Sequence, residues 1–166
     1  MAALAAFDFE RKNIVATANA MHRELSAGER ERLAELFSDK IDAFLDAGRG
    51  RAYLKSPDVA RATRDTLLHF DGARYQLSAW CLMPNHVHVV FRPLQGYALA
   101  SIVHTWKSYS AHEANRILKR SGSFWQREYY DHLVRNEEDF LRIVRYVIEN
   151  PKKANLASWP WVGVGA

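Results

Sequence analysis

The sequence contains a single cysteine, Cys81, among 166 residues. One cysteine excludes an internal disulfide and a zinc site built on cysteines, and it suits a reducing compartment. No apolar run approaches the roughly 18 residues that a membrane-spanning helix needs, and the apolar start of the chain is too short for a signal peptide. A glycine-rich phosphate-binding loop is also missing. We therefore expect a soluble cytoplasmic protein that works without a nucleotide cofactor.

The positive charge of the chain is concentrated in one segment. The formal net charge is +4 and the pI is near 9.3. Between Arg74 and Arg135 the sequence has eight basic and three acidic residues. A mildly basic balance of this kind favours a polyanionic partner such as nucleic acid.

A single domain is expected over residues 1–166, because that length buries an ordinary core without disulfides. Residues 1–25 are poorly defined, although the run "NIVATA" within them resembles a strand that would complete a sheet. Ser26 and Glu29 have the spacing of a capping box, and they predict a helix that ends near Gly48.

The rest of the chain predicts helices around a β-hairpin. The run "SPD" at 56–58 opens one helix, and "ARYQLSAWCL" and "HVHVVFRP" predict two strands joined through "MPN". A long helix follows over about 97–119. Asn136 caps a last helix that is expected to reach about Glu149 and to stop at Pro151. This order predicts an α+β fold in which an antiparallel sheet carries helices packed on one face.

The second predicted strand carries two histidines, His86 and His88. Because successive side chains of a strand point to opposite faces, these two share one face, while Val87 and Val89 lie on the other. Two imidazoles side by side on an accessible face could chelate a metal ion. A pair of surface or packing histidines is the plainer alternative, and His-x-His alone does not decide between them.

The last predicted helix supplies a second group of polar residues. Its apolar stripe consists of Phe140, Ile143, Val144, Val147 and Ile148. Tyr146 and Asn150 lie one turn apart on a flank of this stripe, together with Asp139 and Arg142. A tyrosine and a carboxamide stacked on a half-exposed flank favour a functional role over packing alone.

Three separated motifs, "MPNHVHVVFRPL", "WQREYYDH" and "RYVIENPKKA", follow one another in this sequence. Together they resemble the single-tyrosine HUH transposases, where HUH denotes histidine, a bulky apolar residue and histidine. The closest resemblance is to the REP-associated tyrosine transposases, of the insertion-sequence 200-like type, over about 67–161. The resemblance implies a ferredoxin-like or RRM-like HUH nuclease fold, whose first strand would be degenerate here.

The resemblance also implies roles for individual residues. Tyr146 would be the nucleophile that forms a covalent phosphotyrosine with single-stranded or hairpin DNA of the palindromic REP-like kind. His86, His88 and Asn150 would bind Mg²⁺ or Mn²⁺, and His132 is the alternative third ligand. Cations for phosphate and aromatic rings for bases are the expected DNA contacts. These candidates are Lys107, Trp125, Arg127, Tyr129, Arg135, Arg142 and Arg145.

Other functions remain open at the level of sequence. A decayed or domesticated copy would bind hairpin DNA without cutting it. A replication initiator or relaxase would use the same chemistry, although those enzymes place the tyrosine and the histidines in other sequence contexts. The oligomeric state is undecided between monomer and homodimer, with the monomer favoured by the REP-associated branch. The expected location is the bacterial cytoplasm, at the nucleoid.

Overall fold

The computed structural model describes residues 2–30, 32–33, 36, 51–127, 129–156 and 158–165. The chain forms two compact units, residues 1–50 and 51–166. The single domain expected over 1–166 stays a prediction. Within the described residues, no helix combines the length and the apolar character that a membrane span requires.

The N-terminal unit begins with helix α1, Ala2–Ala20. The strand expected at "NIVATA" is therefore wrong, since that run lies inside the helix. Alanine is the strongest helix former, and α1 holds seven alanines, four of them before the run, two within it and one after it. A helix also satisfies its backbone hydrogen bonds locally, so the flanking alanines outweigh the weak strand propensity of six residues.

The capping box predicted at Ser26 and Glu29 is confirmed. The Ser26 N–H donates to Glu29 Oε2 at 2.8 Å, and the Glu29 N–H donates to Ser26 Oγ at 3.2 Å. Residues 27–30 are helical. Most of the helix predicted behind this cap, up to Gly48, lies outside the described residues.

A three-stranded antiparallel sheet organises the second unit. Strand β1 (Tyr75–Leu82) pairs with β2 (Val87–Pro93), which confirms the predicted hairpin. A short strand β3 (Val162–Val164) pairs with β1 on its other side, so that the order is β2-β1-β3. This third strand escapes sequence analysis because three residues cannot display a period of two.

Helices α2 (Pro57–Leu68) and α3 (Leu99–Ile117) pack on one face of the sheet. Pro57 occupies the first helical position, as predicted. The buried core between them and the sheet includes Val59, Leu67, Tyr75, Leu77, Trp80, Leu82, Ile102 and Trp106. The predicted α+β class is confirmed, and α2 and α3 are the helices packed on one face of the antiparallel sheet.

Helix α4 (Glu137–Lys153) begins as predicted and ends later than predicted. Asn136 is its N-cap, and the Asn136 side chain accepts a hydrogen bond from the Asp139 N–H at 2.8 Å. The expected stop at Pro151 is wrong, because the helix continues through Pro151 to Lys153. Proline lacks an N–H donor and so removes one helical hydrogen bond, but the last turn still closes after Pro151, because the Ala154 N–H donates to the Asn150 carbonyl at 3.1 Å.

Helix α4 lies on the face of the hairpin that carries the histidines. Its buried Val147 belongs to a second core cluster with Ala79, Cys81 and Val90. Val90 shares a strand face with His86 and His88, since side chains alternate along β2. The packing of α4 therefore brings the last helix to the side of the sheet where the histidines lie.

On the opposite face of the sheet, the side chain of Tyr75 links β1 to both α2 and α3. Removing its hydroxyl tests how much these links stabilise the fold. Tyr75 Oη donates to the Leu67 carbonyl at 2.7 Å and accepts from Trp106 Nε1 at 2.9 Å. Tyr75→Phe leaves the indole N–H without its acceptor in the core, so we expect the free energy of unfolding to fall by about 2 kcal/mol. Urea unfolding measures the change. Tyr109→Phe, at a side chain that is 59% exposed, is the control, and equal losses in the two variants would contradict this account.

Candidate active site

His86 and His88 lie side by side near the start of β2. A two-residue loop, Pro84–Asn85, precedes them, and the Met83 N–H closes it by donating to the His86 carbonyl at 2.9 Å. The Nε2 atoms of the two histidines are 3.0 Å apart, and the rings meet edge to face with centroids 4.8 Å apart. The predicted pairing of these imidazoles on one face is therefore present in the structure.

Asn85 orients the first histidine. Its Oδ1 lies 2.9 Å from His86 Nδ1. A carboxamide oxygen can only accept, so Nδ1 carries the proton and Nε2 keeps its lone pair. The lone pair of His86 consequently points toward His88.

Both histidines are held in the neutral form. Burial lowers the pKa of His86 to about 4. Burial, together with the neighbouring His86, lowers the pKa of His88 to about 3. At neutral pH the pair therefore adds no positive charge, and its nitrogens act as neutral donors and acceptors.

Tyr146 lies against this pair. Its ring meets the His88 ring edge to face, with centroids 5.9 Å apart. On the same helix the Lys153 ammonium is 4.4 Å from the centroid of the Tyr146 ring. The predicted nucleophile and the histidines, almost sixty residues apart in sequence, are thus neighbours.

Asn150 presents an unused acceptor. Its side chain is 4% exposed, and within the described part of the chain its Oδ1 has no hydrogen-bond partner. A buried polar atom without a partner costs free energy, so such atoms are rare in native structures and call for an explanation. A ligand role would supply one.

His132 is engaged elsewhere. Its Nε2 lies 3.4 Å from Asp139 Oδ2, and Asp139 Oδ1 accepts from Arg142 at 2.5 Å. Partial burial raises the pKa of the Asp139 carboxyl, but the hydrogen bonds and charges of Arg142 and His132 together outweigh burial and leave that pKa below its ordinary value. In the described ranges no three His, Cys, Asp or Glu side chains form a group that could hold a metal, so His132 does not lie with the histidine pair there.

The predicted DNA contacts fall into two sets: side chains that bond to other parts of the protein, and side chains that are exposed to solvent. Lys107 donates to the carbonyls of Gln126 and Arg127 at 2.6 and 2.8 Å, and half-buried Trp125 donates to Ser110 Oγ at 2.8 Å. Those two side chains hold the loop before α4, and half-buried Arg142 pairs with Asp139. The exposed candidates are Arg127, Tyr129, Arg135 and Arg145.

Residues 62–150, more than half of the chain, match the protein family described as "Transposase IS200 like". The chain belongs to this family. The resemblance seen in the sequence is confirmed at that level. The match contains the histidine pair, Tyr146 and Asn150.

Individual relatives of this chain support its place in the family. A Haemophilus influenzae protein named as a REP-associated tyrosine transposase is 25% identical over 68% of this chain and 72% of its own length. A second, uncharacterized protein of that species is 29% identical over 46% of this chain and 54% of its own length. A solved structure of a REP-associated tyrosine transposase bound to a REP hairpin shares the fold, with a TM-score of 0.53 at 19% identity over 69% of this chain and 68% of that one.

The residues of this chain fit the divalent ion that the resemblance implies. Adjacent ligands about 2.1 Å from an octahedral ion lie about 3.0 Å apart, and the two Nε2 atoms have that spacing. Neutral imidazoles are competent ligands at neutral pH. The unpartnered Asn150 Oδ1 is an oxygen ligand of the type that Mg²⁺ and Mn²⁺ accept.

Sequence analysis missed Lys153. A residue seven positions after Tyr146 lies on the same face of a helix as Tyr146. This relation was not used, because the helix was expected to end before Lys153.

The identity of the third ligand is testable by metal-dependent stability. Mn²⁺ at 100 times its dissociation constant should stabilise the native protein by about 2.7 kcal/mol, measured as a rise in Tm over a sample in EDTA. We expect Asn150→Ala to remove most of this rise and His132→Ala to retain it. Loss of the rise in His132→Ala, with retention in Asn150→Ala, would move the third ligand to the loop.

Proposed function

We propose that this chain is a REP-associated tyrosine transposase that nicks and rejoins single-stranded or hairpin DNA through a covalent phosphotyrosine at Tyr146. The observation that carries the proposal is the contact between the Tyr146 and His88 rings, which unites the nucleophile with the histidine pair. Membership of a transposase family supports the reaction class. The REP-associated relative and the neighbour bound to a REP hairpin support hairpin DNA as the substrate.

Tyr146 performs a phosphoryl transfer in this proposal. Its Oη attacks the scissile phosphorus, the new Oη–P bond replaces the bond from phosphorus to the 3′ oxygen, and the 5′ phosphate stays on the tyrosine. The phenol proton passes to solvent, and the departing 3′ oxygen takes up a proton to become a hydroxyl. Because the phosphotyrosine conserves the energy of the broken bond, rejoining to another 3′ hydroxyl needs no nucleotide cofactor.

His86, His88 and Asn150 would hold Mg²⁺ or Mn²⁺. A divalent ion bound there supplies Lewis-acid stabilisation for the charge on the phosphate oxygens. Asn85 fixes the ring of His86 through the hydrogen bond to Nδ1, as the outer partner of a metal-binding histidine usually does. We choose Asn150 over His132 as the third ligand because Asn150 has a buried unpaired oxygen, whereas His132 pairs with Asp139.

The candidate DNA contacts divide by exposure. We assign direct contacts with DNA to the exposed side chains of Arg127, Tyr129, Arg135 and Arg145. Cations at such positions neutralise phosphates and supply most of the affinity, and an exposed ring can stack on an unpaired base. Lys107 and Trp125 would act by holding the loop that carries Arg127 and Tyr129.

A second candidate is a hairpin-binding protein that no longer cuts DNA. The observation that favours it is helix α1, which occupies the segment where a strand of the sheet was expected. The two candidates differ in one product. A pool of labelled DNA hairpins with randomised single-stranded flanks is incubated with the protein and Mn²⁺, and a DNA-linked protein band that survives denaturation identifies the enzyme. Hairpin binding without this band identifies the second candidate.

The nucleophile is tested by Tyr146→Phe, which keeps the ring and removes the attacking oxygen. We expect the adduct and the nicked product to disappear, while the free energy of unfolding changes by at most about 1 kcal/mol and hairpin binding is retained. Tyr129→Phe and Tyr130→Phe are the controls, since both rings are exposed in the loop before α4. An adduct that survives Tyr146→Phe but is lost in either control would place the nucleophile in the loop.

The histidine pair is tested by His86→Ala and His88→Ala. Each change removes one proposed metal ligand, so we expect metal-dependent nicking to fall below detection. Binding of the same hairpin, measured by fluorescence anisotropy in EDTA, should stay close to wild type because phosphate contacts by Lys and Arg supply most of the affinity. Nicking at the wild-type rate by either variant would contradict the metal site.

A further inference from the structure

Lys153 places a positive charge over the ring of the proposed nucleophile. Its Nζ is 4.4 Å from the Tyr146 ring centroid. The two residues are seven positions apart on α4, about two turns of helix. Long side chains on a helix lean toward its N-terminus, so Lys153 reaches back along the helix face toward Tyr146.

The positive charge of Lys153 is not neutralised by a carboxylate among the described residues. The described ion pairs of α4 join Asp139 to His132 and to Arg142, near the other end of the helix. Across the described residues Lys153 forms no ion pair, and its ammonium contacts the Tyr146 ring. An exposed lysine that lies over an aromatic ring keeps its N–H donors available to an incoming anion.

The reaction brings an anion to this point. A phosphodiester attacked by Tyr146 Oη must lie next to the phenol, within the space that the ammonium borders. Negative charge grows on its non-bridging oxygens as the new bond forms, and a fixed cation beside them lowers the barrier. Arg142, the other cation on this flank of the helix, is already paired with Asp139.

We infer that Lys153 is a further catalytic residue, which binds the scissile phosphate while Tyr146 attacks it. The inference rests on the proposed function. As the Oη–P bond forms and the bond to the 3′ oxygen breaks, the Lys153 ammonium donates charge-assisted hydrogen bonds to a non-bridging oxygen. Lys153 keeps its proton throughout, and the phenol proton leaves to solvent. In the phosphotyrosine product the same ammonium remains beside the same phosphate.

The sequence offers a matched control in Lys152. Lys152 and Lys153 are adjacent, exposed and in the last turn of α4. Removing either charge changes the net charge and the interaction with the helix dipole equally. Of these two lysines, only Lys153 contacts the Tyr146 ring.

The first experiment measures single-turnover nicking at saturating DNA in Mn²⁺, on the hairpin that the wild type attaches to covalently. We expect Lys153→Gln to nick at least about tenfold more slowly, because it loses one charged donor to the transition state. Lys153→Arg should recover most of the rate, since it restores the charge, and Lys152→Gln should match wild type. Because the DNA is saturating, a difference in hairpin affinity between the two glutamine variants does not enter the comparison of rates.

The second experiment locates the contact on the DNA. In a Tyr146→Phe background, which cannot form the adduct, binding is measured in EDTA, so that no metal ion contacts the phosphate. The hairpins carry either an ordinary phosphate or a neutral methylphosphonate at the scissile position. If Lys153 contacts that phosphate, neutralising it weakens binding when Lys153 is present and has little effect in Lys153→Gln. Lys152→Gln should keep the full sensitivity to the methylphosphonate.

The outcomes separate this inference from the proposed function. An adduct that persists in Tyr146→Phe refutes the proposed function itself. Loss of the adduct in Tyr146→Phe, with nicking at the wild-type rate by Lys153→Gln, overturns the role of Lys153 alone. Equal slowing by Lys152→Gln and Lys153→Gln shows a general charge effect and also overturns it. A lowered Tm in Lys153→Gln, with no recovery of the rate by Lys153→Arg, assigns Lys153 a structural role instead.

Discussion

The antiparallel pairing of β1 with β2 is the constraint on which the candidate site depends. Val87 and Val89 pack with the core under α2 and α3, and the period of two then sends His86 and His88 to the other face. A slip of one residue in this register would turn the histidines into the core and the valines outward. The packing of two half-buried valines against the core on one face is therefore what fixes two imidazoles on the other.

Hydrophobic burial also decides where Tyr146 lies. Val147 is 3% exposed and packs with Val90 in the cluster below α4. Burying one such side chain is worth about 1.5–3 kcal/mol, whereas an edge-to-face contact of aromatic rings adds about 0.5–1.5 kcal/mol beyond its burial. The packing of the apolar stripe therefore fixes the position of α4 on the sheet, and the contact between Tyr146 and His88 is a consequence of that position.

Features with a strong local signal could be predicted from the sequence. The hairpin, the Asn136 cap and the face shared by the histidines each depend on a few neighbouring residues, and the structure has all three. The strand expected near the N-terminus fails because its short apolar run is embedded in better helix formers. The contact of Tyr146 with His88 depends on how a helix seats on a sheet, which no local pattern encodes. The unpaired oxygen of Asn150 likewise becomes visible only when its whole surroundings are known.

Pro151 shows how a small departure from a local rule reshapes the site. Helix α4 continues through the proline, and the Ala154 N–H closes its last turn on the Asn150 carbonyl at 3.1 Å. At about 100° per residue, Lys153 comes within about 20° of the direction of Tyr146, whereas Lys152 lies about 120° away. Both lysines gain from the negative end of the helix dipole, but that gain does not distinguish them. Because the helix continues one turn beyond the expected stop, Lys153 lies on the same helix face as Tyr146.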